Sequence, residues 1–188
     1  MSAGSPMENY EKLFEAAKQN EEARRQKPRV MLGTASCGVA AGALEVKDFF
    51  LKEIEASGVD AEVVEVGCMG HCYAEPLAVI AKPGFPAITY GNLDEGLVHL
   101  LVKDFLAGED PCYEYALAAV ERNDVFPTFE DFPRGVYEQK LILRQCGYID
   151  PESIDSYIEK DGYRALARVL AGDPAAVLEE VKAANLRG

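Results

Sequence analysis

Between residues 29 and 106, short apolar runs alternate with amphipathic ones in an order that few folds accept. Residues 29–32 read as a short strand that runs into the small-residue loop Gly33-Thr-Ala-Ser-Cys-Gly38. A helix is expected over 40–57, with Ala43, Val46, Phe50 and Ile54 on its buried face and Gly58 as its terminator. Residues 61–66 form a β-branched run and read as a strand. The loop 67–76 follows, and 77–81 and 87–90 read as two strands joined around Pro83-Gly84. Asn92-Leu-Asp-Glu95 opens a last helix, with Leu97, Val98, Leu101 and Phe105 facing inward and Gly108 at its end. The order β-α-β-β-β-α requires one mixed sheet with helices packed on it.

The flanking segments are simpler. Residues 1–28 read as an N-terminal helix, with Tyr10, Leu13, Phe14 and Ala17 on one stripe and Pro28 as the stop. Residues 109–136 hold Pro111, Pro127 and Pro133 and read as a linker, with a short helix near 113–122. Residues 137–188 form a second, mainly helical unit. A short strand is expected at 139–144. Helices are expected from Pro151 to Lys160 (Asp150 as cap), over 162–171, and over 174–184 with Asp173 as cap and Pro174 in the first turn. The fold class is therefore α/β: a thioredoxin-like mixed sheet with packed helices over 29–108, followed by a small helical unit.

Charge narrows the function. The chain carries 19 Lys and Arg against 32 Asp and Glu, a net charge of −13. Phosphate backbones need a basic surface, so nucleic acid is excluded as a partner, and an anionic membrane surface is disfavoured. No apolar run approaches the ~20 residues that cross a bilayer, so no membrane insertion is expected. The opening residues have neither a basic nor an apolar signal region, and a cytoplasmic location is expected. In a reducing compartment the five cysteines point to metal or redox chemistry rather than to a disulfide framework.

The cysteine spacing selects among those chemistries. Gly33-x4-Gly38 is followed by Val39-Ala40, where a phosphate loop needs Lys and Ser or Thr. Cys68-x3-Cys72 is not the C-x-x-C of a dithiol oxidoreductase. Thiolates suit iron–sulfur clusters or zinc. Cys37 closes the turn after the first strand, just before a helix start that favours thiolates. Cys68 and Cys72 follow the neighbouring strand, where Gly67 and Gly70 let the loop bend and aim N–H groups at sulfur. The topology brings all three to one end of the sheet.

Gly67-Cys-Met-Gly-His-Cys-Tyr73, with Cys37-Gly-Val-Ala-Ala-Gly42 upstream, resembles the thioredoxin-like [2Fe-2S] ferredoxin domain found at the front of NADH-binding flavoprotein subunits of the NADH dehydrogenase (complex I) type. Gln139-Lys-Leu-Ile-Leu-Arg-Gln-Cys-Gly-Tyr-Ile-Asp-Pro-Glu-Ser-Ile-Asp155, Gly162-Tyr-Arg-Ala-Leu166, Val177-Leu-Glu-Glu-Val-Lys182 and Leu186-Arg-Gly188 resemble the start of the flavoprotein domain itself. The resemblance implies an N-terminal accessory region of an NADH:acceptor oxidoreductase, serving electron relay or docking among the other subunits. It implies no catalysis by this region alone, because the sequence stops at Gly188, ahead of the glycine-rich loop that binds FMN and NADH in that family.

The family motif has four cysteines, C-x4-C and C-x3-C. Here the first position is Leu32, so Cys37, Cys68 and Cys72 are three of four expected ligands. His71, Cys112 or a non-protein group are candidates for the fourth. A Cys37/Cys68/His71/Cys72 zinc site is chemically sound. The alternative is a cluster-less thioredoxin-like interaction module, in which the cysteines are small buried groups. Cys146 reads as such a group within the second unit, and Glu75 as a solvated acid.

Overall fold

Arg29–Gly33 forms the strand β1, and its last four residues are all buried, which marks it as central. The description that follows is of a computed structural model and covers residues 4–133, 135–185 and 187. Leu186 and Gly188 of the family-like C-terminal motif, and the first three residues of the expected N-terminal helix, lie outside the described residues. Two compact units are present: Ala23–Pro151, and a second built from the terminal segments up to Glu22 and from Glu152.

The first unit is a five-stranded mixed sheet in the order β2-β1-β3-β4-β5. The strand β2 (Glu62–Val66) runs parallel to β1, with Gly33 opposite Val66. The strand β3 (Ala78–Ala81) lies antiparallel on the other side of β1, followed by β4 (Ile88–Tyr90). Two helices, α2 (Ser36–Ala40) and α3 (Ala43–Ser57), make the crossover that a parallel pair needs. The single helix expected over 40–57 is in fact two, because Gly42 sits at φ +101 and breaks the ladder. The end at Gly58 is as expected: its N–H donates to the carbonyls of Ile54 and Glu55.

Strand alternation separates two cores. Val30, Leu32, Ile80, Ile88 and Tyr90 face α3 and the last helix, meeting Phe50, Val98, Leu101 and Phe105. Met31, Val64, Val66, Leu77 and Val79 pack on the opposite face with Met69. The last helix, α4 (Glu95–Leu100), is capped by Asp94, whose carboxylate accepts the Leu97 N–H at 2.8 Å. It widens into a π-helical stretch over Leu101–Leu106.

Three expectations fail here. The short helix near 113–122 is a single 3₁₀ turn followed by β5 (Ala116–Ala119), paired antiparallel to β4. Ala-Leu-Ala-Ala favours helix locally, but the vacant flank of β4 offers backbone partners and takes the segment into the sheet. The stretch 109–136 therefore contributes one strand to the sheet. The strand expected at 139–144 is absent; that segment is a run of turns, with Ile142 95% exposed and no strand for it to pair with. Glu75 is not a solvated acid, as the site shows.

In the second unit, α1 (Pro6–Arg24) contributes Tyr10 and Ala17, which pack with Ile158 and Ala167. Leu13, expected on the same stripe, is exposed. The helix expected from Pro151 starts three residues later as α5 (Ile154–Glu159), capped by Ser153. Ser156 donates its hydroxyl to the buried Glu21 carboxylate at 2.8 Å. The helix α6 (Arg164–Ala171) begins after Tyr163, held at φ +62, and α7 (Pro174–Ala183) has the expected Asp173 cap and Pro174 start. Among the described residues no helix is long and apolar enough to cross a membrane.

Candidate metal centre

Because β1 and β2 are parallel, the loops at their C-terminal ends leave the sheet side by side, and the Thr34 N–H donates to the Val66 carbonyl at 3.0 Å. Cys37 stands in the first turn of α2, Cys68 directly after β2 and Cys72 at the start of a 3₁₀ turn, Cys72–Ala74. Cys37 and Cys72 are exposed and Cys68 is half-buried.

The three thiols interact. Cys72 is held above the ordinary thiol range, first by its hydrogen bond to Cys37 and by the charge of that neighbour, while a hydrogen bond from Cys68 works the other way. The Cys72 thiol thus feels both Cys37 and Cys68. The Gly70 N–H donates to Cys68 Sγ at 3.3 Å, with Gly70 at φ +89. This is the bend expected of that glycine.

Two details of the cradle depend on glycine and on a half-buried acid. A Cβ on Gly38 would lie 2.2 Å from the Gly33 carbonyl oxygen, so only glycine lets α2 sit this close to the end of β1. Glu75 reaches under the same corner: its Oε2 lies 3.2 Å from that Gly38 Cβ position and accepts the Leu77 N–H at 3.1 Å. Burial pushes the Glu75 carboxyl up, favouring its neutral form.

The position that lacks the motif cysteine and the candidates for the fourth ligand fare differently. Leu32 is 0% exposed and belongs to the core between the sheet and α3, not to the loop. His71 is 8% exposed, with its ring stacked on Phe129 at 3.8 Å and set edge-on to Tyr73. Among the described residues no three His, Cys, Asp or Glu side chains converge on a single metal ion, which argues against the zinc set. A two-iron cluster makes a different demand, two thiolates per iron, which is one more than Cys37, Cys68 and Cys72 supply. Cys112 sits in the main core at φ +50, donates its thiol to the Asp110 carbonyl at 3.4 Å, and is pushed up to about 11 by burial and then by nearby acids. It is no part of the cluster.

Cys146, expected as a small buried group of the second unit, is half-buried and lies against the loop of Cys68. Its Sγ lies only 2.9 Å from the point where a Cβ on Gly67 would stand, beside Cys68. Nothing in the local sequence signals a contact between segments so far apart along the chain.

A parallel β-α-β unit continued by antiparallel strands, with helices on one face and thiols at the parallel strand ends, defines a thioredoxin-like domain with a cysteine site. No protein-family model matches the chain. NADP-reducing hydrogenase subunit HndB of Solidesulfovibrio fructosivorans is 30% identical over 90 residues, covering 47% of this chain and 71% of the relative. The chain belongs to the family of that HndB subunit. Subunit HndC of the same hydrogenase is 53% identical over 49 residues, which is 26% of this chain but only 10% of the length of HndC. Both relatives accord with the resemblance to NADH dehydrogenase-type subunits. Among solved structures, the thioredoxin-like [2Fe-2S] ferredoxin of Aquifex aeolicus aligns at TM-score 0.43 and 19% identity, over 50% of this chain and 98% of the ferredoxin. A second structure of it aligns at TM-score 0.44 and 18% identity, over 54% and 99%.

Proposed function

We propose that this chain is an electron-transfer accessory module of a multi-subunit, hydrogenase-type oxidoreductase, with Cys37, Cys68 and Cys72 as ligands of a [2Fe-2S] cluster. The observation that carries this reading is the placement of Cys37 and Cys68 in the loops that leave two adjacent parallel strands at the same end, with Cys72 close behind in the second loop. A bound cluster would accept and pass on single electrons. The chain's own contribution is to hold the thiols. Gly38 seats the Cys37 turn, Gly70 turns an N–H onto Cys68, and the half-buried Glu75 fills the corner beneath Gly38. Other subunits of the same complex are the proposed partners, since both hydrogenase relatives are themselves subunits.

Leu32 favours a second reading. The motif position for the first cysteine is a fully buried core residue, as a cluster-less docking module would have it. Anaerobic reconstitution with iron and sulfide separates the two. A relay retains iron and acid-labile sulfide in equal amounts, turns brown and bleaches on reduction. A protein that stays colourless and metal-free after this treatment is the docking module.

A further inference from the structure

The segment 140–148 meets the cysteine loop at the peptide that joins Met69 to Gly70. The half-buried Lys140 donates from Nζ to the Met69 carbonyl at 3.1 Å. The N–H of that same peptide, carried by Gly70, donates to Cys68 Sγ at 3.3 Å. The peptide is trans, since the cis bond among the described residues is Glu75–Pro76, and its carbonyl and N–H therefore point to opposite sides. One planar unit is thus bonded to a cation at one end and to a thiol sulfur at the other. The ammonium also lies 3.7 Å from the place a Cβ on Gly70 would occupy. The flanking contacts keep the two segments together. The buried Met69 fits against Gly147, at φ +88, where a Cβ would lie 2.4 Å from the Met69 Cγ. Tyr148 packs on the core cluster that contains Met69.

We propose that Lys140 is a positioning residue of the cysteine loop: it holds the Met69–Gly70 peptide so that the Gly70 N–H stays on Cys68 Sγ, and through that bond it makes a cluster on Cys68 easier to reduce. The effect on reduction rests on the reading that Cys68 is a cluster ligand; the hold on the peptide does not. Gly70 stands at φ +89, and glycine adopts either sign of φ at little cost, so the peptide before it is free to turn over. Turned over, it would aim the Met69 carbonyl oxygen at the sulfur instead of the N–H. An ammonium has three donors and no acceptor, so Lys140 binds the carbonyl end alone and opposes that rotation. Its charge also polarises the peptide, and linked hydrogen bonds strengthen one another. Hydrogen bonds to the sulfurs are among the factors that set the potential of an iron–sulfur cluster. A firmer N–H bond stabilises the more negative, reduced state, so the potential rises.

The test has two arms, both on the full chain, with Lys140→Met, Lys140→Arg and the exposed Lys103→Met as a control. In the metal-free, reduced chain, the Gly70 amide is followed by NMR. Lys140→Met is expected to move its proton upfield and to speed its exchange about tenfold, the loss of one charge-assisted hydrogen bond. Lys140→Arg, which keeps donor and charge, should restore both. In the chain reconstituted anaerobically with iron and sulfide, Lys140→Met is expected to be harder to reduce by roughly tenfold, about 59 mV for one electron, with Lys140→Arg and Lys103→Met at the wild-type potential. An unchanged Gly70 amide in Lys140→Met would overturn the proposal. A changed amide with an unchanged potential would overturn its effect on reduction and leave the relay reading intact. Failure of the wild type to take up iron would remove the relay reading, while the Gly70 amide would still decide whether Lys140 positions the loop.

Discussion

In the loops after β1 and β2, Cys37 and Cys72 are exposed and Cys68 half-buried, whereas Cys112 is 2% exposed in the main core with its thiol pushed up to about 11. A ligand thiol must give up its proton. Burial among apolar groups and beside Asp110 makes that costly for Cys112, whereas Cys72 is raised chiefly by its neighbour Cys37 and not by burial. The contrast teaches that residue type alone does not mark a ligand; what surrounds the sulfur decides. Cys146 is the intermediate case, half-buried but lying against the loop of Cys68.

The sharpest break in this comparison is Cys72→Ala. It should abolish iron and sulfide retention while leaving thermal unfolding nearly unchanged, since an exposed side chain contributes within about 0.5 kcal/mol. Metal analysis beside a calorimetric scan checks both halves. Gly38→Ala comes next. Its Cβ would meet the Gly33 carbonyl, so α2 must shift, at a cost of about 1–3 kcal/mol, and cluster loading should fall with it. Urea unfolding and iron content are the measurements.

Leu32→Cys tests the core side of the contrast. It should lower stability by about 2 kcal/mol in urea unfolding without raising the iron content, because the new sulfur would point into the apolar core. Extra bound iron in that variant would mean the strand can turn toward the loop. The smallest effect concerns pH. The folded-state value of Cys112, about 11, lies above its ordinary 9.0, so the neutral thiol's contribution to stability is complete below pH 9 and is lost as pH rises through 11. The alkaline loss of stability should therefore be shallower in Cys112→Ala, as urea midpoints across that range would show.

Much of the sheet and the trio were legible because both follow from local pattern. The β-branched run that became β2, the glycine after α3 and the parallel β-α-β order place Cys37 beside Cys68 and Cys72 without further information. What failed depended on contacts between distant segments. Ala116–Ala119 has the composition of a helix and is a strand only because β4 lies next to it. Glu75 looks like a surface acid until the close approach of α2 to β1 covers it. Cys146 meets Gly67 through chain folding that no short motif encodes.

The fifth strand has a consequence for how such a module meets its neighbours. On one flank of the sheet, the Ala119 N–H donates to the Pro127 carbonyl and Ala119 bridges to Thr128, so the outer side of β5 is already engaged. The other flank is β2, only 5 residues long, with Glu62 tied to Arg24 and Glu65 to Lys47. A strand of an incoming chain would find one margin occupied and the other short and charged. The domain is thus built against edge-to-edge polymerisation, and whatever binds it must grip side chains and loops rather than extend its sheet.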